Sequence, residues 1–167
     1  MISIPISTLF IGLNGLIAVV LSSIVALARA KTRVWHGESR ADVSAQRNYL
    51  EAPNALAALV ERLTVKVFPV QDDNEALLQR TVRAHSNFAE YVPHALLLIV
   101  ALELIHSESW LLWLLGGTLT IARIAHAWGL IQTYGPSPGR AIGYYLTEFV
   151  YLIGAGACIY QGIVNRF

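Results

Sequence analysis

The stretch Arg80-Thr-Val-Arg-Ala-His-Ser-Asn-Phe-Ala-Glu90 runs directly into the apolar stretch Tyr91-Val-Pro-His-Ala-Leu-Leu-Leu-Ile-Val-Ala-Leu102. Four polar residues of the first stretch recur at helical spacing: Arg80, Arg83, Asn87 and Glu90. A helix through both stretches would carry these side chains on one stripe, at one end of a segment apolar enough for a membrane. Charged groups are costly where they face lipid, so we expect the stripe to face other helices or a wet cavity.

The composition of the whole chain is that of a membrane protein. Of its 167 residues, 55% are hydrophobic and 14% are charged, and the mean hydropathy is +0.52. These values are too apolar for an ordinary soluble domain. The net charge of +1 and the lack of a basic run argue against a nucleic-acid partner. The sequence has no His/Cys cluster that would predict a metal site, and its single cysteine, Cys158, is expected to be a packing residue.

Four segments are apolar enough to cross a membrane as helices. We predict an all-α four-helix membrane bundle in a single domain of residues 1–167, with spans at about 7–28, 76–105, 110–134 and 140–164. Basic residues follow the first span and none precedes it, which predicts a cytoplasmic first loop and both termini on the other side. A signal peptide is the alternative for the first span, because Ala26-Leu-Ala28 resembles a cleavage site. The missing basic segment and the length of the apolar run argue against it.

The segment 36–75 is the one long stretch whose pattern does not predict a span. Within it, apolar residues recur at helical spacing after Pro53, with charged residues between them: Leu56, Leu59, Val60, Leu63 and Val67. This pattern predicts a short amphipathic helix. Two placements are equally open, since the helix could lie on the membrane surface or pack on the cytoplasmic ends of the bundle.

The other predicted spans also carry polar residues, several of them at the membrane depth of the stripe in the second span. In chain order they are Arg29, Arg123, His126, Arg140, Tyr144, Glu148 and Tyr151. Among the histidines, we expect His85 to be structural and His126 to bond a neighbouring helix, while a role for His94 in lining the cavity stays open. Pro93 is expected to kink the second helix about one turn beyond the stripe and to free backbone carbonyls there.

Positive charge exceeds negative charge in this predicted cluster. Five arginines stand against two acids: Arg29, Arg80, Arg83, Arg123 and Arg140 against Glu90 and Glu148. One interpretation is a structural network in which the charges pair with one another. Because the arginines outnumber the acids, an anionic guest would balance the site, and the planar guanidinium suits carboxylates. The residues predict a pocket for a small polyanion that opens to the cytoplasm.

Three motifs in this cluster resemble the MAPEG family, the membrane-associated proteins in eicosanoid and glutathione metabolism. They are Arg83-Ala-His-Ser-Asn-Phe-Ala-Glu-Tyr-Val-Pro93, Arg123-Ile-Ala-His126 and Arg140-Ala-Ile-Gly-Tyr144. The first motif is fairly specific, and the other two gain weight from their order. The resemblance covers the second to fourth helices by spacing and the first by type. It implies a homotrimer of four-helix subunits, with glutathione bound between neighbouring subunits near the cytoplasmic side.

The resemblance also implies roles for individual residues. By position in the motifs, Arg83 would bind the carboxylates of glutathione, and Asn87 and Glu90 its amide and amino groups. The predicted binding set is completed by Tyr91, Arg123, Tyr144, Arg29 and Arg80. Arg140 lies where enzymes of the family place the arginine that activates the thiol, so it is the predicted catalytic residue. A guanidinium close to sulfur lowers the thiol pKa from ~8.5. A hydrophobic small molecule or lipid would enter as co-substrate from the membrane.

Departures from the family pattern keep two functions open. Ser86 stands where several catalytic members carry a further arginine, and Leu130 where some members have a tyrosine. The segment from about Arg40 to Gln71 is longer than the usual first cytoplasmic loop of the family. The first hypothesis is a membrane glutathione transferase or peroxidase, and the second is a non-catalytic member that binds a lipid or a partner protein. A transporter or channel subunit fits less well, because the chain has no inverted repeat. The expected location is a bacterial inner membrane.

Overall fold

The computed structural model describes residues 3–32, 34, 40–45, 59, 62–63, 66, 74–133 and 135–164. The elements within these ranges are α-helices: α1 (Pro5–Thr32), α2 (Arg40–Ala45), α3 (Asn74–Leu104), α4 (Ser109–Gln132) and α5 (Pro138–Val164). Four of them, α1, α3, α4 and α5, are long and apolar enough to cross a membrane. The predicted all-α membrane bundle with four spans is confirmed.

The first span is longer than predicted, since α1 continues to Thr32 and carries Arg29 in its last turn. Ala28 is fully buried there and packs against Leu77, which brings Arg29 level with the first turns of α3. The predicted amphipathic helix of residues 56–67 lies outside the described residues except at isolated positions, of which Leu59 and Leu63 are exposed.

Short turns make α3, α4 and α5 antiparallel neighbours. Between α3 and α4, His106 adopts a φ of 59° and its N–H donates to the carbonyl oxygen of Glu103 at 3.0 Å. Between α4 and α5, Gly135 adopts a φ of 85°, a left-handed conformation that glycine takes without a side-chain clash. Pro138 then occupies the first position of α5, where an N–H would have no helical partner.

Small residues bring α4 and α5 close together. A Cβ atom at Gly143 of α5 would lie 2.6 Å from the carbonyl oxygen of Ala122 and 2.5 Å from the Cβ atom of His126. At Gly129 of α4, a Cβ atom would lie 2.6 Å from the amide nitrogen of Arg140. Side chains at these positions would force the helices apart. Because the two residues are glycines, the first turn of α5, with Arg140, packs against the last turns of α4.

The core orients the polar stripe of α3. One cluster of buried residues lies between α3, α4 and α5, and comprises Ala95, Ile99, Leu102, Leu112, Leu115, Leu119 and Val150. A second cluster joins α3 to α1 and α4 through Ala84, Phe88 and Val92. Within the first motif, these three residues directly follow Arg83, Asn87 and Tyr91. Burying the apolar face of α3 therefore fixes the direction of the neighbouring polar side chains.

A carboxylate binds the start of α1 at the end of the bundle where α1 begins and α3 ends. We refer to this end of the bundle as the capped end. Glu103 is buried, and its two carboxylate oxygens accept the backbone N–H groups of Ile6 at 2.9 Å and Ser7 at 2.7 Å. The first N–H groups of a helix have no partner within the helix, and an anion also suits the positive end of the helix dipole. Glu103 therefore ties the start of α1 to the end of α3.

Candidate functional site

The predicted arginines gather at the opposite end of the bundle, where α1 and α4 end and α3 and α5 begin. A cleft of about 210 Å³ opens there. We refer to it as the arginine cleft, and it is lined by Ala76, Gln79, Arg80, Arg83, Leu130, Thr133, Gly135 and Arg140. Three guanidinium groups from two helices thus line one cleft, and none of the described lining residues is acidic.

Hydrogen bonds to the backbone position two of these arginines. The Nε of Arg80 donates to the carbonyl oxygen of Ile131 at 3.2 Å, near the end of α4. The guanidinium of Arg140 donates to the carbonyl oxygen of Gly135 in the turn before α5. Arg83 is exposed and has no hydrogen bond or ion pair among the described residues. Because a guanidinium has five N–H donors, all three side chains keep donors for an anion.

Arg123 lies deeper in the bundle and is 3% exposed. Its two terminal nitrogens donate to Oδ1 of Asn87 at 3.0 Å and to the carbonyl oxygen of Gly143 at 3.3 Å, and its Nε has no hydrogen-bond partner among the residues that the structure describes. Its guanidinium carbon lies 5.6 Å from the ring centre of Tyr91, at cation–π distance. No carboxylate of the described residues pairs with Arg123, so the paired-charge network that the sequence left open does not form around it.

Tyr91 is itself held from α5. The hydroxyl of Tyr151 donates to the Tyr91 carbonyl oxygen at 2.7 Å, and the two rings meet edge to face with centres 6.1 Å apart. The helix α3 is continuous through Pro93, and the backbone carbonyl oxygen of Glu90 lies 3.2 Å from a ring nitrogen of His94. The carbonyls of Glu90 and Tyr91, just before the proline, therefore have side-chain partners.

The remaining predicted residues do not line the arginine cleft. Glu90 and Glu148 are exposed, and Tyr144 is 45% exposed with its ring against Tyr145. Arg29 lies level with the first turns of α3 but is not among the residues that line the cleft. Within one chain, the predicted site therefore divides into the cleft, the buried Arg123 network and an outward-facing set.

The chain shares sequence similarity with a known protein family and with curated proteins. The model of the MAPEG family matches residues 7–160, nearly the full length. The chain belongs to the MAPEG family. It is also 35% identical over 52 residues to Inner membrane protein YecN of Escherichia coli K12, which is 31% of this chain and 40% of YecN. YecN of Escherichia coli O6:H1 matches to the same extent. The chain thus spans 40% of the length of these curated relatives, and no solved structure matches it.

This MAPEG protein also contains site residues that the sequence did not predict. Gln79 and Thr133 line the cleft. Tyr151, which the sequence indicated only as one of the polar residues of the spans, supports Tyr91 through its hydroxyl. The position of Gln79 next to the predicted Arg80 is only a weak sequence signal for a cleft residue. Thr133 could not be predicted, because the direction of its side chain depends on the residue at which α4 ends. The prediction that His126 bonds a neighbouring helix is confirmed, because its Nδ1 lies 3.1 Å from the carbonyl oxygen of Arg140.

Proposed function

We propose that this MAPEG protein is a membrane glutathione transferase or glutathione-dependent peroxidase of a bacterial inner membrane. The observation that carries the proposal is the arginine cleft, in which Arg80, Arg83 and Arg140 converge without an acidic neighbour among the described lining residues. Glutathione has two carboxylates, and paired N–H groups of arginine match a carboxylate well. The family includes glutathione transferases among its enzymes, which supports the same ligand.

The cleft of one subunit is small for a whole tripeptide. Its volume of about 210 Å³ is below the roughly 300–1,000 Å³ of typical ligand pockets. Glu90, Tyr144 and Glu148 lie exposed on spanning helices, where a charged group facing lipid is costly. A neighbouring copy would cover these side chains and complete the pocket. We therefore propose a closed homotrimer with sites between subunits.

The hydrogen bonds within the chain refine the expected roles. Since Oδ1 of Asn87 already accepts Arg123, the amide NH₂ of Asn87 is free to donate to a peptide carbonyl of glutathione. Glu90 would accept the ammonium group, and Arg80 and Arg83 would bind carboxylates. Arg123 would act as the buried support that orients Asn87.

The proposed chemistry depends on Arg140. When bound, glutathione would supply the sulfur nucleophile for attack on a lipophilic electrophile or hydroperoxide. The Arg140 guanidinium would hold the negative charge of the sulfur and thereby favour the thiolate near neutral pH. The co-substrate would approach from the membrane, since the outer faces of the spanning helices are apolar.

The direct test is thiolate absorbance in the ultraviolet when glutathione is added to the purified protein, together with conjugation of a lipophilic electrophile. We expect both signals in the wild type and a loss of about 100-fold or more in conjugation for Arg140→Ala. Arg62→Ala is the matched control, because Arg62 is exposed and does not line the cleft. A wild-type protein that shows neither thiolate nor conjugation would refute the enzymatic proposal.

The second candidate function is glutathione or lipid binding without turnover. It is favoured by the placement of Leu130, an aliphatic departure from the family pattern that lines the arginine cleft itself. It is also favoured by the bond of Arg140 to the Gly135 carbonyl, which directs this guanidinium toward the turn. Saturable glutathione binding without a thiolate signal or any product would support this function.

A further inference from the structure

The arginine cleft lies at the depth of the lipid headgroups. The helix rise places Arg83 about 32 Å from Leu104 along α3, and Arg140 about 32 Å from Gln161 along α5. The far ends of these two segments are level, since Ser107, just beyond α3, donates to Gln161 at 3.0 Å. The hydrocarbon layer is about 30 Å thick. When Leu104 and Gln161 lie at one boundary of the hydrocarbon layer, Arg83 and Arg140 therefore lie at the other boundary.

The tryptophans of α4 place the boundary independently. Trp110 and Trp128 are 65% and 67% exposed and lie about 27 Å apart along the helix, as two interfacial belts would. Leu130 and Thr133, which line the arginine cleft, come two and five residues beyond Trp128, that is, within about 1.5 turns. The cleft thus lies just outside the aromatic belt, in the layer that contains lipid phosphates.

The donors of the cleft suit a phosphate group. Arg80 and Arg140 each use part of their guanidinium for a backbone carbonyl, and Arg83 uses none among the described residues. Arginine forks bind phosphate oxygens through paired N–H groups, and no described lining residue is an acid that would compete. Leu130 and Ala76 add an apolar edge that acyl chains or a glycerol backbone can contact.

We propose that the arginine cleft binds the phosphate of an anionic phospholipid, with phosphatidylglycerol as the representative headgroup. The bilayer holds such phosphates at the depth of the cleft, which raises their effective concentration far above that of a soluble anion. The proposal that the cleft binds this headgroup does not depend on the proposed enzymatic function. Its consequence for glutathione rests on that function: the headgroup and the glutathione carboxylates compete for the same guanidiniums.

The first experiment measures lipid retention by native mass spectrometry. The purified protein is equilibrated with mixed micelles of phosphatidylcholine and phosphatidylglycerol, and the bound lipids are counted. We expect the wild type and Arg62→Gln to retain phosphatidylglycerol in preference to phosphatidylcholine, and Arg80→Gln to lose about tenfold in that preference. Arg140→Gln serves as the second cleft variant if Arg80→Gln does not fold. Equal retention of both lipids by the wild type, or unchanged preference in the cleft variant, would overturn the proposal.

A titration with inorganic phosphate distinguishes the two possible ligands of the cleft, which are the phosphate of a lipid headgroup and a soluble phosphate ion. Without lipid competition, we expect inorganic phosphate to raise the thermal midpoint of the detergent-solubilised protein far less than phosphatidylglycerol does. If inorganic phosphate stabilises the protein as strongly and at the same concentration, the cleft binds a soluble anion and the lipid assignment is wrong.

The competition is tested by glutathione binding in nanodiscs of phosphatidylcholine, with and without phosphatidylglycerol. Anionic lipid repels glutathione from any membrane surface, so Arg80→Gln in the same nanodiscs reports that background. We expect the apparent Kd of the wild type to rise several-fold more than that of Arg80→Gln. An equal rise would disprove the competition. Absence of glutathione binding in every nanodisc would refute the proposed function and leave the lipid-retention result intact.

Discussion

The two ends of this bundle manage charge in opposite ways. At the capped end, the buried carboxylate of Glu103 accepts two backbone N–H groups of α1, so its charge is used within the chain. At the other end, three guanidiniums line the arginine cleft with donors to spare and no acid among the described lining residues. A buried carboxylate whose oxygens accept hydrogen bonds joins parts of the fold, whereas converging guanidiniums without counter-ions favour the binding of an anion.

The arginine cleft is the region where substitution should change binding most and stability least. For the double variant Arg80→Gln, Arg83→Gln we expect glutathione affinity to fall about 100-fold, because each charge-assisted contact contributes about tenfold. The thermal midpoint should stay near that of the wild type, since neither side chain belongs to the buried core. Calorimetric titration and thermal melting in the same detergent measure the two quantities. A large fall in the midpoint would mean that the cleft, like the capped end, is structural.

The contact between α4 and α5 should affect both stability and binding. Gly143→Ala places a Cβ atom within 2.6 Å of the Ala122 carbonyl, and separating the helices should destabilise the protein by about 1–3 kcal/mol. The separation also disturbs the bond from Arg123 to the Gly143 carbonyl, so glutathione binding should weaken as well.

The control for this variant is Gly156→Ala on the same helix, where an added Cβ atom meets no neighbour within 4 Å. Alanine favours a helix by up to about 1 kcal/mol over glycine, so this control should be neutral or slightly more stable in thermal melting. If both variants have the same thermal stability, the close approach of α4 and α5 does not require a glycine at position 143.

The capped end should show the converse of the cleft, with an effect on stability and none on binding. Glu103→Gln replaces one acceptor oxygen by an NH₂ group that cannot accept the N–H of α1, and should cost about 1–2 kcal/mol in the free energy of unfolding. Glu108→Gln is the matched control, because Glu108 is exposed and makes no side-chain cap bond. Denaturant unfolding measures the difference. Unchanged stability in Glu103→Gln, or a change in glutathione affinity, would contradict the division between the two ends.

Much of the candidate site could be predicted from local spacing, and the remainder could not. Helical periodicity put Arg80, Arg83 and Asn87 on one stripe, and an arginine after a Gly/Pro turn is expected at the start of a helix. Periodicity does not say which side of the stripe meets a neighbour. In the structure of the single chain, Glu90 and Tyr144 point outward. Their spacing nevertheless matches that of the cleft residues and the Arg123 network.

The sequence by itself determined the membrane class, the four apolar spans and the family, because hydropathy and motif spacing are local properties that survive any packing. Only the tertiary structure decided which arginines share a cleft. Arg80 and Arg140 meet because Gly129 and Gly143 let α4 and α5 approach, and Arg123 is enclosed with Asn87 and Tyr91 by the same approach. These contacts join residues distant in the chain through backbone distances of a few ångströms, which no local pattern encodes.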